Sequence, residues 1–239
     1  MKRLIFTLLI LTAITLPRSG FSGTGKEIFI HFGNDIKYTF GNWPAFVVLG
    51  GAIAAAATTK IDQNVANHFR NNRSLGKFDT FANYAGEFYV VDTSAVLLFG
   101  ISKLAHAEKP ALVGEAMVEA LVLTELSTVG LKLAFNRDLP NGHKYGFPSG
   151  HASRCFAVAA VLETMYGPKA GVPAFLVASA IGFSRIDSDV HYVSDVVFGA
   201  AWGAAIGWGT AWFHKKAFEN ISIYPMMNGS KGIQFSYKF

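Results

Sequence analysis

The chain has few charged residues and a single cysteine, and both features limit the classes of function that are possible. Only 15% of its 239 residues are charged, whereas an average globular domain has roughly 25%. The net charge of +5 comes without a long basic run, so a nucleic-acid partner is not expected. The single cysteine, Cys155, excludes an internal disulfide, and no cysteine ligand set for a metal exists.

Apolar residues make up 51% of the chain, which indicates a membrane protein or a bundle of buried helices. Lys2 and Arg3 precede the apolar run Leu4–Leu16, a pattern typical of a secretory signal. We therefore predict a signal peptide over residues 1–22. An uncleaved anchor helix is the alternative, since the same pattern serves both.

Six apolar segments follow a polar leader over residues 23–42, and each is too long for a typical strand. They predict an all-α domain of six helices over residues 43–216. The segments are Trp43–Thr58, Phe88–Leu104, Ala111–Phe135, His151–Tyr166, Ala170–Ile181 and Tyr192–Trp212.

The last stretch, residues 217–239, changes pattern to alternating apolar and polar residues. Asn228-Gly229 is a strong turn signal between two such runs. This predicts a short C-terminal β-hairpin.

Whether the helices cross a bilayer is left open by the sequence. A spanning helix needs about 20 apolar residues, and only two of the six segments are that long. One of them carries Glu115, Glu119 and Glu125, which fall within an arc of about 120° on a helix. That arc faces the bundle interior in a spanning helix or water in a soluble one.

The segment Pro148-Ser149-Gly150-His151 stands directly before an apolar helix. Free N–H groups at a helix start favour an anion, and the glycine allows close approach. His151 could then transfer a proton near neutral pH. The alternative is an ordinary serine cap with an incidental histidine.

A second polar cluster contains Ser184-Arg185, His191 and Asp195. The spacing of four predicts that His191 and Asp195 share a helix face, so that the carboxylate fixes the imidazole tautomer. Arg185 offers a fork of donors for phosphate. A metal held by these residues with Asp187 and Asp189 is disfavoured, because no HExxH motif is present.

Lys132, near the end of a helix, and Arg137 complete the pattern, and the three clusters together resemble the type 2 phosphatidic acid phosphatase and vanadium haloperoxidase superfamily. The family signature is K-x6-R-P, then P-S-G-H, then S-R-x5-H-x3-D. The second and third elements match in full. In the first, Lys132 and Pro140 match, but Leu139 stands where the family has arginine.

The resemblance implies a phosphoryl-transfer site at the ends of a helical bundle. His191 would attack phosphorus and form a phosphohistidine, Asp195 would orient it, and His151 would protonate the leaving oxygen. The phosphate oxygens would be held by Lys132, Arg137, Ser149, Gly150, Ser184 and Arg185, with Arg137 either replacing the missing arginine or supporting the site from outside. No metal or other cofactor is implied, and vanadate is the expected inhibitor.

The implied function is a phosphoric monoester hydrolase, with acid anhydrides as further substrates. A lipid phosphate is favoured: phosphatidate, phosphatidylglycerophosphate, a prenyl diphosphate or a lipid A type. A soluble periplasmic acid phosphatase, a vanadium haloperoxidase and a catalytically weakened member are the alternatives.

The expected location is the envelope of a bacterial-type cell, at the inner membrane with the site facing the periplasm. The order of segments conflicts with this. If the N-terminal segment and the next three helices all cross, the Lys132 end is cytoplasmic, and the basic loop Lys60–Lys77 favours the same side.

Overall fold

The structure, a computed structural model, describes residues 25–219, 221–225 and 233–237. This part of the chain contains eight helices. They are α1 (Gly25–Phe40), α2 (Pro44–Asn71), α3 (Lys77–Ala85), α4 (Phe88–Leu104), α5 (Glu108–Phe135), α6 (Gly150–Tyr166), α7 (Pro168–Asp187) and α8 (Val193–Glu219). The predicted signal segment, residues 1–22, lies outside the described residues.

The prediction of an all-helical domain is confirmed, but the count of six helices is wrong. Helix α1 lies in the predicted polar leader, and α3 lies between two of the predicted helical segments. Both are mixed in polarity, and their apolar residues pack against longer helices, so tertiary contacts override weak local signals. Helix α7 also extends beyond its apolar segment and carries Ser184 and Arg185 in its last turn.

Two five-residue strands follow the helices. Ile221–Pro225 and Ile233–Tyr237 pair antiparallel, with Ile223 opposite Phe235. The predicted Asn228-Gly229 turn lies outside the described residues, and the role of this segment stays a prediction.

Helix α8 is the central element, and a row of glycines brings α6 against it. Gly199, Gly203 and Gly207 recur every four residues and so share one face. A Cβ at Gly203 would overlap the carbonyl of Ser153, and one at Gly207 would overlap the carbonyl of Ala157. The two backbones therefore touch, as small residues permit in tightly packed helix pairs.

The long helices alternate in direction, which brings four helix ends together. The end of α5, the start of α6, the end of α7 and the start of α8 carry the three predicted clusters. The basic segment Lys60–Lys77 lies at the same end, because Arg70 and Arg73 contact Asp189 and the Ser188 carbonyl. The basic segment and the candidate site therefore share one side of the fold.

The outer surface of the bundle is apolar. Helices α2 and α7 and the segment Val193–Lys216 are long and apolar enough to cross a membrane, and the bent pair α3–α4 makes a fourth candidate. Phe46 is 74% exposed and Ile53 72% exposed on α2. Large exposed apolar faces of this kind indicate contact with a membrane, as in a membrane protein.

The acidic arc of α5 faces the bundle interior, one of the two orientations left open. Glu119 is buried against His214, and Glu125 forms an ion pair with the buried Arg154. A bilayer outside the bundle therefore does not meet these carboxylates.

Candidate active site

His191 lies in the turn between α7 and α8, not on a helix as predicted, but its contact with Asp195 is present. His191 Nδ1 is 3.4 Å from Asp195 Oδ2, and the Tyr192 N–H donates to the same oxygen at 3.0 Å. Asp195 is fully buried in the first turn of α8. With Nδ1 facing the carboxylate, Nε2 is the ring nitrogen left for chemistry.

The imidazole of His191 is buried, and burial lowers its pKa below the ordinary value of 6.5. Asp195 opposes that change, whereas the positive charges of Lys132 and Arg185 add to it. The ring is therefore neutral near pH 7, which is the form that can act as a nucleophile.

Arg137 supports Asp195. Its Nη1 donates to Asp195 Oδ1 at 2.8 Å and to the Ser194 hydroxyl at 2.7 Å, and its Nη2 donates to Asp62 Oδ2 at 2.7 Å. Its guanidinium also lies over the Tyr192 ring. Both terminal nitrogens are thus engaged with protein groups, which favours the supporting position over the phosphate-contacting one.

Asp62 is a site residue that sequence analysis missed. It is buried on α2, accepts from Arg137, and also accepts from the N–H and the hydroxyl of Ser194. No local pattern marks it, since its partners lie 75 and 132 residues away. The one sequence signal is indirect: Arg137 needs a carboxylate partner, and Asp62 is that partner.

Ser149 stands at the start of α6 without capping it. Its side chain makes no cap hydrogen bond, and its Oγ is buried with no hydrogen-bond partner among the described residues. Its N–H donates to the Asp195 carbonyl at 3.0 Å, which ties the start of α6 to that of α8. The side-chain cap considered as an alternative is therefore absent, and Gly150 begins the helix.

His151 faces the same region from the first turn of α6. Its Nε2 has no hydrogen-bond partner in the described part of the chain, and Glu87 Oε1 lies 3.6 Å away. Burial lowers the pKa of His151 to about 2, with a further contribution from the charge of Arg185. An anion placed beside His151 would raise this pKa again.

Arg185 has guanidinium N–H donors that no group in the described structure accepts from. Its Nε and Nη1 are buried and have no hydrogen-bond partner within the described ranges. The Ser184 hydroxyl, by contrast, donates to the Ile181 carbonyl at 2.8 Å, so its proton is already used. Lys132 Nζ donates to the Tyr145 carbonyl at 2.7 Å, above the loop that precedes Ser149.

Leu139 lies in that loop, packed beside the backbone of Gly146. Its N–H donates to the His143 carbonyl at 2.7 Å, and the Gly146 N–H donates to the Arg137 carbonyl. A Cβ at Gly146 would lie 3.2 Å from the Leu139 side chain. Leu139 therefore contributes packing where the family signature has a cation.

The acidic residues weighed as metal ligands have other partners. Asp187 accepts from the N–H and hydroxyl of Ser74 and from the Leu75 N–H, and Asp189 pairs with Arg70 at 3.0 Å. Among the described residues, these side chains do not gather with His191 into a metal-ligating group. Through these contacts, Asp187 and Asp189 hold the end of α2 and the α2–α3 loop beside the site.

Comparisons with known proteins agree with this geometry. A sequence model of the PAP2 superfamily matches residues 114–219. Lipid A 1-phosphatase of Porphyromonas gingivalis is 35% identical over 97 residues, which cover 39% of this chain and 22% of that protein. Lipid A 4'-phosphatase of the same organism is 26% identical over 136 residues, covering 50% and 58%. The chain thus spans less than two thirds of either relative.

Two solved structures share the fold. The transmembrane PAP2-type phosphatidylglycerolphosphate phosphatase from Bacillus subtilis superposes with a TM-score of 0.63 at 21% identity, covering 72% of this chain and 96% of its own. Aquifex aeolicus LpxE gives a TM-score of 0.54 at 27% identity, covering 64% and 94%. The matched helices, the complete P-S-G-H and S-R-x5-H-x3-D elements and their convergence at one end of the bundle lead to one conclusion: over residues 114–219 the chain is similar to the PAP2 superfamily, and it has the fold of PAP2-type phosphatases.

Proposed function

We propose that the chain is a phosphatase that hydrolyses a lipid phosphate through a phosphohistidine at His191. One observation carries the proposal. Buried polar atoms of Ser149, His151 and Arg185 lack hydrogen-bond partners in the described structure and belong to the same cluster of helix ends as the His191–Asp195 pair. Buried polar groups are normally satisfied, so a bound ligand with several acceptor oxygens would complete them.

The first chemical step follows from the positions of the two histidines. Nε2 of His191 attacks phosphorus, a P–N bond forms, and the bond from phosphorus to the leaving oxygen breaks. His151 gives its proton to that oxygen. The phosphate dianion raises the pKa of His151, so the acid is charged when substrate is bound and neutral when the site is empty.

The second step reverses these roles. His151, now neutral, takes a proton from water, and the water oxygen attacks phosphorus. The P–N bond breaks and inorganic phosphate leaves. Arg185, the Ser149 hydroxyl, the Gly150 N–H and Lys132 stabilise the charge on the equatorial oxygens in both steps. This route uses no cofactor.

The lipid A type is the substrate that we favour. Both curated relatives are named as lipid A phosphatases, and the apolar outer faces of α2 and α7 fit a protein that meets its substrate at a membrane. Phosphatidate, phosphatidylglycerophosphate and prenyl diphosphate remain the competing substrates. We further propose that the site faces the periplasm. The basic segment Lys60–Lys77 lies on the same side, but the ion pair of Arg70 with Asp189 offsets part of its positive charge.

The test is a substrate panel with the full chain purified in detergent. Phosphate release is measured from a lipid A phosphomonoester, phosphatidylglycerophosphate, phosphatidate, a prenyl diphosphate and p-nitrophenyl phosphate, with and without vanadate. We expect hydrolysis of the lipid A phosphomonoester at the highest kcat/KM, inhibition by vanadate, and loss with His191→Ala. His143→Ala is the control, since that histidine is exposed in the neighbouring loop. Full activity in His191→Ala would refute the mechanism, and activity on p-nitrophenyl phosphate alone would refute the lipid substrate.

A further inference from the structure

A second cluster of ionisable groups lies away from the candidate active site. His31 on α1, Glu119 on α5 and His214 on α8 place one ligand atom each within 4.8 Å of one another. His214 Nε2 is 2.8 Å from Glu119 Oε2, and His31 Nδ1 is 3.9 Å from the same oxygen. Glu119 and His214 are buried, and the His31 side chain is 24% exposed.

A second carboxylate lies near this cluster, outside the group whose ligand atoms all fall within 4.8 Å of one another. Asp35 lies one turn beyond His31 on α1, is 0% exposed, and has no hydrogen-bond partner for either oxygen among the described residues. A fully buried carboxyl group needs a counter-charge or a proton.

We propose that His31, Asp35, Glu119 and His214 form a binding site for one divalent transition-metal ion, with Zn²⁺ the best fit. The donor set is two imidazoles and two carboxylates, which suits Zn²⁺. Zn–N and Zn–O bonds of about 2.0–2.1 Å place tetrahedral ligand atoms roughly 3.3–3.4 Å apart. The observed separations of 2.8 and 3.9 Å lie on either side of that value, so shifts of about half an ångström would bring these two pairs of ligand atoms to it.

Charge balance supports the assignment. Two ionised carboxylates and two neutral imidazoles neutralise a divalent cation in a site with little water. Binding would displace the protons that the ligands otherwise hold, so protons are released as the ion enters.

The ion would be structural. Glu119 precedes Lys132 by 13 residues on α5, which is roughly 20 Å along the helix. This separates the ion from the phosphoryl-transfer chemistry. The ligands come from α1, α5 and α8, so the ion would join the first described helix to the core of the bundle.

The test uses the full chain in detergent, stripped with a chelator, equilibrated with Zn²⁺ and desalted. Elemental analysis is expected to give about one zinc per wild-type chain. His31→Ala and Glu119→Gln should lower zinc affinity at least about tenfold, the scale of losses from disturbed metal sites. Zinc should also raise the Tm of wild type and leave that of the variants unchanged.

His68→Ala is the matched control, since His68 is exposed on α2 and away from the cluster, and it should bind zinc like wild type. Co²⁺ loading gives a readout that folding failure cannot imitate. Wild type should show the strong visible bands of tetrahedral cobalt, and His31→Cys should add thiolate-to-metal charge transfer. Wild type that holds no more zinc than His31→Ala, or cobalt bands unaffected by His31→Cys, would overturn the proposal.

Discussion

The two carboxylate oxygens of Asp195 are divided between Arg137 and His191. Oδ1 accepts from Arg137 Nη1 at 2.8 Å, and Oδ2 faces His191 Nδ1 at 3.4 Å. Arg137 is itself held by Asp62, so the proposed nucleophile is oriented by a chain of charges that begins on α2. The position of His191 therefore depends on Arg137 and Asp62, which it does not contact directly.

Replacing Arg137 by alanine should lower kcat and leave KM nearly unchanged. The variant loses charge-assisted hydrogen bonds, each worth about 1.5–3 kcal/mol, and leaves Asp62 and Asp195 buried without a cation. A loss of about ten- to a hundredfold in kcat is expected. Steady-state kinetics of phosphate release measure the split between kcat and KM.

Lys144→Ala is the control for this loss of charge. Lys144 pairs with Asp138 in the same loop, but both side chains are more than half exposed, so kcat should not change. A large rise in KM with unchanged kcat in Arg137→Ala would mean that Arg137 binds phosphate directly, contrary to the supporting role.

Anion binding should take up a proton at His151. In the empty site the pKa of His151 is lowered, so the ring is neutral at pH 7. A bound dianion raises that pKa, so affinity increases as the pH falls through the raised value. Sulfate is the probe, because it does not titrate in this range. Calorimetry in buffers of different ionisation enthalpy measures the uptake, and His151→Gln should abolish it. Equal uptake in the variant would assign the proton to another group.

Leu139→Arg is expected to increase kcat/KM and the affinity for vanadate. The substitution supplies the cation that the family signature has at this position, beside the loop that Lys132 contacts. Leu139→Gln controls for the loss of the apolar side chain. An unchanged kcat/KM in Leu139→Arg would show that the existing cations suffice.

Gly203→Ala should destabilise the bundle, since the added Cβ would overlap the Ser153 carbonyl. Overpacking costs about 1–3 kcal/mol where neighbours can shift, and a backbone carbonyl shifts poorly. Gly130→Ala is the control, with open space at its Cβ inside α5, and should be neutral or slightly stabilising. Thermal unfolding in detergent compares the two, and equal Tm values would contradict the close contact.

Site residues that belong to short sequence motifs could be predicted to lie together. Ser149, His151, Arg185, His191 and Asp195 were expected together, and the structure brings them to one end of the bundle. The resemblance to a family supplied that expectation, since the segment from Pro148 to His151 alone also fitted an ordinary serine cap. The proposed roles await the experiments above.

Other features depended on contacts that no local pattern encodes. The pairing of Asp62 with Arg137 joins residues 75 positions apart, and a buried aspartate near the polar end of a long helix resembles a surface residue in sequence. The helix Lys77–Ala85 has only nine residues, too few for a clear apolar period. Helix α1 is recognisable only through its packing against α8.

The glycine row of α8 has a consequence for how substrates are distinguished. Because α6 and α8 touch along Gly199, Gly203 and Gly207, the starts of the two helices are held against each other, and the Ser149 N–H reaches the Asp195 carbonyl. Under the proposed function, adaptation to a different lipid would then come from the elements beside these helix ends, namely the α2–α3 loop and Glu87. Exchanging those elements with a PAP2-type phosphatase of different specificity should transfer substrate preference while the chemistry stays the same.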